Sequence, residues 1–313
     1  MKMTDKMATR EAYGMALAQL GEHYSNLVVL DADLSKSTFT NKFAEKFPER
    51  FFNMGIAEAN LAATAAGLST CNKIPFISTF AIFATGRAFD QIRNSIAYPG
   101  LNVKIGATHA GITVGEDGGS HQSVEDIALM RSIPGMTVLS PADAIETQAA
   151  VKAAIMHNGP VYLRLGRVAV TNIYQDKSNY EFELGKAVQL TEGNDVTIIA
   201  TGIMVQEALE ACNILEKEGI HARVLNIHTI KPIDEQAIID AATNTGRIVT
   251  AEEHSIIGGL GEAVASITSR YCPVPIAMVG IKDVFGRSGK PAELMKHYNI
   301  TANDIVESVK SLL

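Results

Sequence analysis

Cysteine is scarce in this sequence. Cys71, Cys212 and Cys272 are the only three in 313 residues, and they stand far apart with no CxxC or His-Cys spacing. Neither a disulfide framework nor a zinc site finds support there, and reduced thiols in a cytoplasmic protein are the expectation. Long apolar runs are missing too. Nothing reaches the roughly 18 consecutive apolar residues of a membrane span, and the opening MKMTDKMATREAYG has no apolar core of signal-peptide length. Low-complexity stretches are also lacking. The 27 Lys and Arg residues are scattered through a chain of net charge −7, which argues against a nucleic-acid-binding face. An anionic ligand would need a local pocket of Arg, His and backbone donors.

What the chain does have is apolar content, 47% of residues, enough for two ordinary domains at this length. Short apolar runs at 27–30, 74–78, 103–107, 137–139 and 161–165 read as buried strands. They alternate with helical periods at 8–20, 56–68, 83–96 and 143–156. The segment IAEANLAATAAGL is rich in Ala and should pack closely on most of its surface. After a polar, aperiodic stretch the alternation repeats, with strands near 196–200, 222–226, 247–251 and 276–279. The matching helices lie near 204–218, 234–242, 261–270 and 303–312, and Thr301 with Asp304 forms a capping pair for the last. This pattern predicts an α/β chain of two domains, each a mainly parallel sheet flanked by helices, over 1–175 and 186–313 with 176–185 as linker.

Several residues bear chemistry. Glu58 starts the Ala-rich helix just after the strand end FFNMG, where parallel α/β domains bind ligands. A carboxyl group is costly to ionise in so apolar a setting, which makes Glu58 a candidate proton relay. Composition alone favours a plainer account, a first-turn Glu complementing the helix dipole. The loop THAGITVGEDGGSHQ sets His109, Asp117 and His121 among Gly111, Gly115, Gly118 and Gly119. Its glycines would let backbone approach a ligand, its histidines titrate near neutrality, and their spacing fits no compact zinc pattern. Arg10, Ser37, Arg164 and Arg167 are, taken singly, ordinary surface residues. Phe80 and Phe83 are ordinary core, and the glycines of IIGGLGEAV suit a tight helix entry better than a dinucleotide loop.

Taken together, NMGIAEANLAATAAGLS, STFAIF, THAGITVGEDGGSHQSVED and YLRLGR resemble the pyrimidine-binding domain of transketolases, in order and spacing. IATG, IKPID and TAEEH extend the likeness through the second block, so it covers essentially the whole chain. The resemblance implies a thiamine-diphosphate pyrimidine-binding fold followed by a transketolase C-terminal-like fold. It makes Glu58 the catalytic glutamate that hydrogen-bonds the pyrimidine ring nitrogen, with Phe80 and Phe83 as the aromatic wall of that ring. Gly86 stands where the family has a third aromatic. Asp117 and His121 match contacts to the donor sugar, His121 also lying near the proton transfers. Arg10, Ser37, His109 and Arg167 match the positions that hold a substrate phosphate, so phosphorylated sugars are the expected substrates.

The family's GDG…N segment, which fixes Mg2+ and the diphosphate, is not found in this sequence. The resemblance therefore implies thiamine diphosphate shared with a separate N-terminal-type subunit, Mg2+ bound by that partner, no metal site on this chain, and an α2β2 assembly. Rival readings are a 2-oxo acid dehydrogenase β subunit, a deoxyxylulose-phosphate synthase, and a non-catalytic subunit retaining the fold. The GEDGGSHQ loop with Arg10, Ser37 and Arg167 favours the sugar phosphate. For Glu252, Glu253 and His254, a charged strand end at a subunit interface is the expectation.

Overall fold

The computed structural model describes residues 6–174 and 180–313, so the first part of the expected linker, 176–179, lies outside the described residues. Its larger sheet has seven strands in the order Thr229–Lys231, Thr137–Leu139, Val161–Arg164, Lys104–Thr108, Ile74–Phe80, Leu27–Asp31 and Phe51–Asn53. All neighbours run parallel except the first pair. The smaller sheet has five, ordered Ile276–Ile281, Ile248–Ser255, Val196–Ala200, Ala222–Asn226 and Val188–Thr191, with only the last pair antiparallel. Central strands such as LVVLD and VTIIA are buried at every residue. Helices cover both faces of such strands, which is why apolar runs rather than alternation announce them. The expected two-domain plan of mainly parallel sheets is what the chain adopts.

One expected element is broken. Instead of a helix over 83–96 there are Ala81–Arg87, Phe89–Gln91 and a wide π turn at Ile92–Ala97. Gly86, a poor helix residue, lies at the end of the first piece. The capping pair of the last helix is realised: Asp304 accepts the Thr301 N–H at 2.9 Å, and both halves of the reciprocal box are present. IIGGLGEAV is a tight helix entry, with Gly258 at φ 75° and Gly259 pressed against the Glu252 carboxylate.

The domains share more than a linker. Strand Thr229–Lys231 belongs to the second block in sequence but pairs with Thr137–Leu139 at the edge of the first block's sheet. Beside it Lys231 Nζ donates to the carbonyls of Arg131 at 2.8 Å and Ile133 at 2.6 Å. The expectation for Glu252, Glu253 and His254 is corrected here, because all three are buried inside the chain itself. Glu252 caps the helix Leu260–Tyr271 by accepting from Leu260 and Gly261, and burial pushes its carboxyl up to about 7. His254 Nε2 accepts from the Ile127 N–H at 3.1 Å while Nδ1 donates to the Ser255 carbonyl, the neutral tautomer. These side chains form the domain junction. All three cysteines are free thiols, and no helix among the described residues is long and apolar enough to cross a membrane.

Thr301→Ala removes the cap hydroxyl from the final helix. It should lower stability by about 1 kcal/mol, read as a shift of the urea midpoint with the slope unchanged.

Candidate active site

Five adjacent parallel strands deliver the site from their C-terminal ends, where helix starts and loops converge. Ile74–Phe80 ends on Phe80, and Lys104–Thr108 leads straight into His109. Val161–Arg164 leads to Arg167, Leu27–Asp31 to the turn holding Ser37, and Phe51–Asn53 to the helix Glu58–Thr70.

Glu58 is 5% exposed, yet its surroundings are not the apolar ones expected. Arg87 Nη1 donates to its Oε1 at 2.8 Å. The same guanidinium lies over the Phe83 ring, 3.9 Å from its centre. Phe83 in turn stacks on Phe80 at 5.6 Å and 15°, and Phe80 stacks on His109 at 3.8 Å. His121 meets Phe83 edge-on at 5.3 Å. Thus Glu58, Phe83, Phe80, His109 and His121 form one continuous wall. A side chain added at Gly86 would meet nothing within 4 Å, so the space of the missing aromatic stays open beside Arg87. The role of Arg87 was not legible in the sequence, since its partner lies 29 residues away and no motif joins them.

At the other end of the wall Arg10, Ser37, His109 and Arg167 come together. Arg10 Nη1 donates to the Ser37 carbonyl at 2.6 Å and Nε to the Arg167 carbonyl at 3.3 Å. Arg167 donates to the Val114 carbonyl and to Asp117 Oδ2 at 3.4 Å. His109 Nδ1 shares a hydrogen bond with Thr108 Oγ1 at 2.9 Å. Burial pushes the His109 ring down to about 3, and the positive charges of Arg10 and Arg167 act in the same direction. Arg10 is likewise lowered, by burial and then by Arg167. Two guanidinium groups crowd a neutral imidazole, and Arg10 donates to two carbonyls, which carry no full charge to balance it. An anion entering here would relieve that repulsion.

Arg164, read as a surface residue, is instead buried and holds Asp126 through Nε at 2.8 Å and Nη2 at 3.2 Å. The loop glycines also act otherwise than expected. They face the C-terminal domain rather than the cleft: a methyl group on Gly118 would lie 2.5 Å from Ser288 Oγ, and one on Gly119 2.6 Å from the Gly286 carbonyl oxygen. Residues of the second block thus border the loop, and their glycine-rich sequence GRSGKP was the one signal that went unread.

Does this pocket suit an aminopyrimidine? The Arg87 guanidinium is itself a flat, delocalised N–H donor that lies on an aromatic face and bonds the Glu58 carboxylate. A pyrimidine ring carrying a proton on its nitrogen offers the same three properties, so the residues fit. Among the described residues no group of three His, Cys, Asp or Glu side chains could hold a metal ion.

The model of the transketolase pyrimidine-binding domain matches residues 5–172, and that of the transketolase C-terminal domain matches 185–305. The chain belongs to the transketolase family. A transketolase C-terminal section of Methanocaldococcus jannaschii is 52% identical, over 96% of this chain and 94% of that protein. A 6-deoxy-6-sulfo-D-fructose transketolase subunit of a Clostridium species is 46% identical, over 96% and 92%. A solved split-gene transketolase, described as an inactive beta4 tetramer, superposes with a TM-score of 0.91 at 56% identity, covering 98% of each chain. Longer transketolases also match. The chain is 41% identical to the Rattus norvegicus enzyme but spans 50% of its length.

For this transketolase-family chain the neutral His109 has a measurable consequence. Folded, the ring stays unprotonated down to about pH 3, whereas the unfolded chain takes up that proton near about 6.5. As pH falls through that window the unfolded state binds more protons, so stability falls. His228 and His254, each pushed down to about 4 by burial, act in the same direction. His109→Gln should make the decline in urea midpoint shallower, and the His109 ring signals in NMR should stay flat between about pH 8 and pH 5.

Proposed function

We propose that this chain is the pyrimidine-side subunit of a split, thiamine-diphosphate-dependent transketolase, working in the cytoplasm. It would transfer a two-carbon ketol unit from a ketose phosphate to an aldose phosphate. A partner of N-terminal type would hold the diphosphate and Mg2+, in an α2β2 assembly. The observation that carries this reading is one cleft with two ends. A buried carboxylate beside a Phe83–Phe80 stack forms one end, and the Arg10, His109 and Arg167 cluster forms the other. A 2-oxo acid dehydrogenase has no need of a phosphate cluster there. The half-length match to the longer transketolases, and the inactivity named for the split-gene relative's tetramer, support the need for a partner.

Thiamine diphosphate, when bound, supplies the carbon nucleophile that carries the two-carbon unit. This chain's part is to place and protonate. Glu58 would bond the pyrimidine ring nitrogen and hold a proton there, a task suited to a buried carboxylate. Phe80 and Phe83 would fix the plane of the ring by stacking. Asp117 would accept from a donor hydroxyl, and His121 would bond the donor sugar and move a proton at its hydroxyl oxygen. Arg10 and Arg167 would grip the phosphate in charge-assisted bonds, with the Ser37 turn and neutral His109 completing the set.

Purified chain mixed with a partner carrying the GDG…N domain, cofactor, Mg2+, xylulose 5-phosphate and ribose 5-phosphate should transfer the ketol unit, and neither chain alone should do so. Glu58→Gln should reduce the rate by about 10²-fold or more. Turnover of pyruvate but not of sugars would move the assignment to the dehydrogenases. On this reading the ring would take the place of Arg87 between Glu58 and Phe83, so Arg87→Met should tighten cofactor binding severalfold, read by calorimetry on the assembled enzyme.

A further inference from the structure

The loop Thr108–Gln122 has two faces, and only one belongs to the cleft. Asp117 and His121 project their side chains on one side. On the other, its glycines lie directly against the C-terminal domain. Gly111, at φ 82°, abuts the Glu253 carboxylate, whose Oε1 also accepts the Thr113 N–H at 2.6 Å. Gly115 lies against Pro291 and Gly289, Gly118 against Ser288, and Gly119 against the Gly286 carbonyl. Gln122 Nε2 spans the seam, donating to the Arg287 carbonyl at 2.9 Å as well as to Ile112 and Gly115 of its own loop. The opposing segment is itself held, since the Tyr298 hydroxyl donates to the Phe285 carbonyl at 3.0 Å.

We propose that the C-terminal domain positions the substrate-facing loop, with Glu253 setting its entry and the segment 286–291 setting Asp117 and His121. The linkage is short. His121 N–H and Gln122 N–H both donate to the Gly118 carbonyl, at 2.9 and 3.2 Å, and Gly118 rests on Ser288. A side chain at Gly119 or Gly111 must displace the loop, because the opposing atoms there are the Gly286 carbonyl oxygen and the buried Glu253 carboxylate. Close contact at these glycines therefore fixes how far His121 and Asp117 stand from the wall formed by Phe80 and Phe83. The residues concerned are positioning residues, and for what Asp117 and His121 touch the inference rests on the sugar-phosphate reading above.

Two variants attack the seam from opposite sides. In Gly286→Ala the new methyl would collide with Gln122 Oε1, and Gln122→Met removes the bridging amide. In each, amide hydrogen exchange over 112–122 should rise about tenfold in the isolated chain, while the helix Glu58–Thr70 keeps its protection. With the partner present, donor KM should rise about tenfold at unchanged cofactor affinity, a split that general destabilisation would not produce. The double variant should do little more than either single one. Unchanged loop exchange in Gly286→Ala, or cofactor affinity falling in step with donor affinity, would overturn the proposal. A wild-type mixture that transfers no ketol unit would sink the functional reading alone, because the exchange measurement still decides the positioning.

Discussion

The two domains close around Arg164. Its side chain is 6% exposed and that of its partner Asp126 is fully buried. Such a pair is expensive to desolvate and holds only if the remaining donors are also satisfied. Nη2 also donates to the carbonyls of Ser123 at 3.4 Å and Glu253 at 2.8 Å, which adds partners to the pair. Burial works against the Asp126 charge, yet the Arg164 guanidinium and the Tyr162 hydroxyl, which donates to Oδ2 at 2.8 Å, hold its carboxyl below the usual range. One guanidinium thereby fixes the end of a strand of the larger sheet to the helix Asp126–Ser132 and to a strand of the smaller sheet. Arg167 follows three residues later, so the anion end of the cleft inherits that rigidity.

The cleft that results is polarised along its length. At the Glu58 end a carboxylate meets a delocalised cation on an aromatic face. At the other end guanidinium groups stand around an imidazole that burial keeps neutral, so the ring there is both donor and acceptor and adds no repulsion of its own. Between them lies an apolar floor of Phe80 and Phe83. A molecule with a flat nitrogen base at one end and a chain of hydroxyls ending in an anion near the other would meet complementary chemistry throughout.

Much of this was legible in the sequence, for reasons of burial. Strands sandwiched between helices must be apolar at every position, and the runs at 137–139, 196–200 and 222–226 coincide with observed strands. The short edge strands gave no such signal, Val188–Thr191 because it is partly exposed and Thr229–Lys231 because it has only three residues and a pairing partner remote in sequence. Glu58, Phe80, Phe83, His109 and Arg167 do converge; the glycine-rich loop marked His109 by itself, but composition read the other four as ordinary surface or core, and only their joint likeness to a family marked them. Arg87 and Gln122 escaped for a different reason. Their meaning lies in partners 29 and 165 positions away, which neither period nor local spacing encodes. The loop glycines were noticed and misread, since a residue without a side chain announces close approach without saying to what.

The strand Thr229–Lys231 has a consequence for how such a chain can be inherited. Severed between its two blocks, the first half would expose Thr137–Leu139 as a bare sheet margin, open to pairing with any passing strand. It would also lose the carbonyl and carboxylate that Glu253 contributes at the junction. Recombination that shuffled these halves as separate modules would yield a sticky fragment rather than a spare part, so the pair has to travel through evolution as one indivisible cassette.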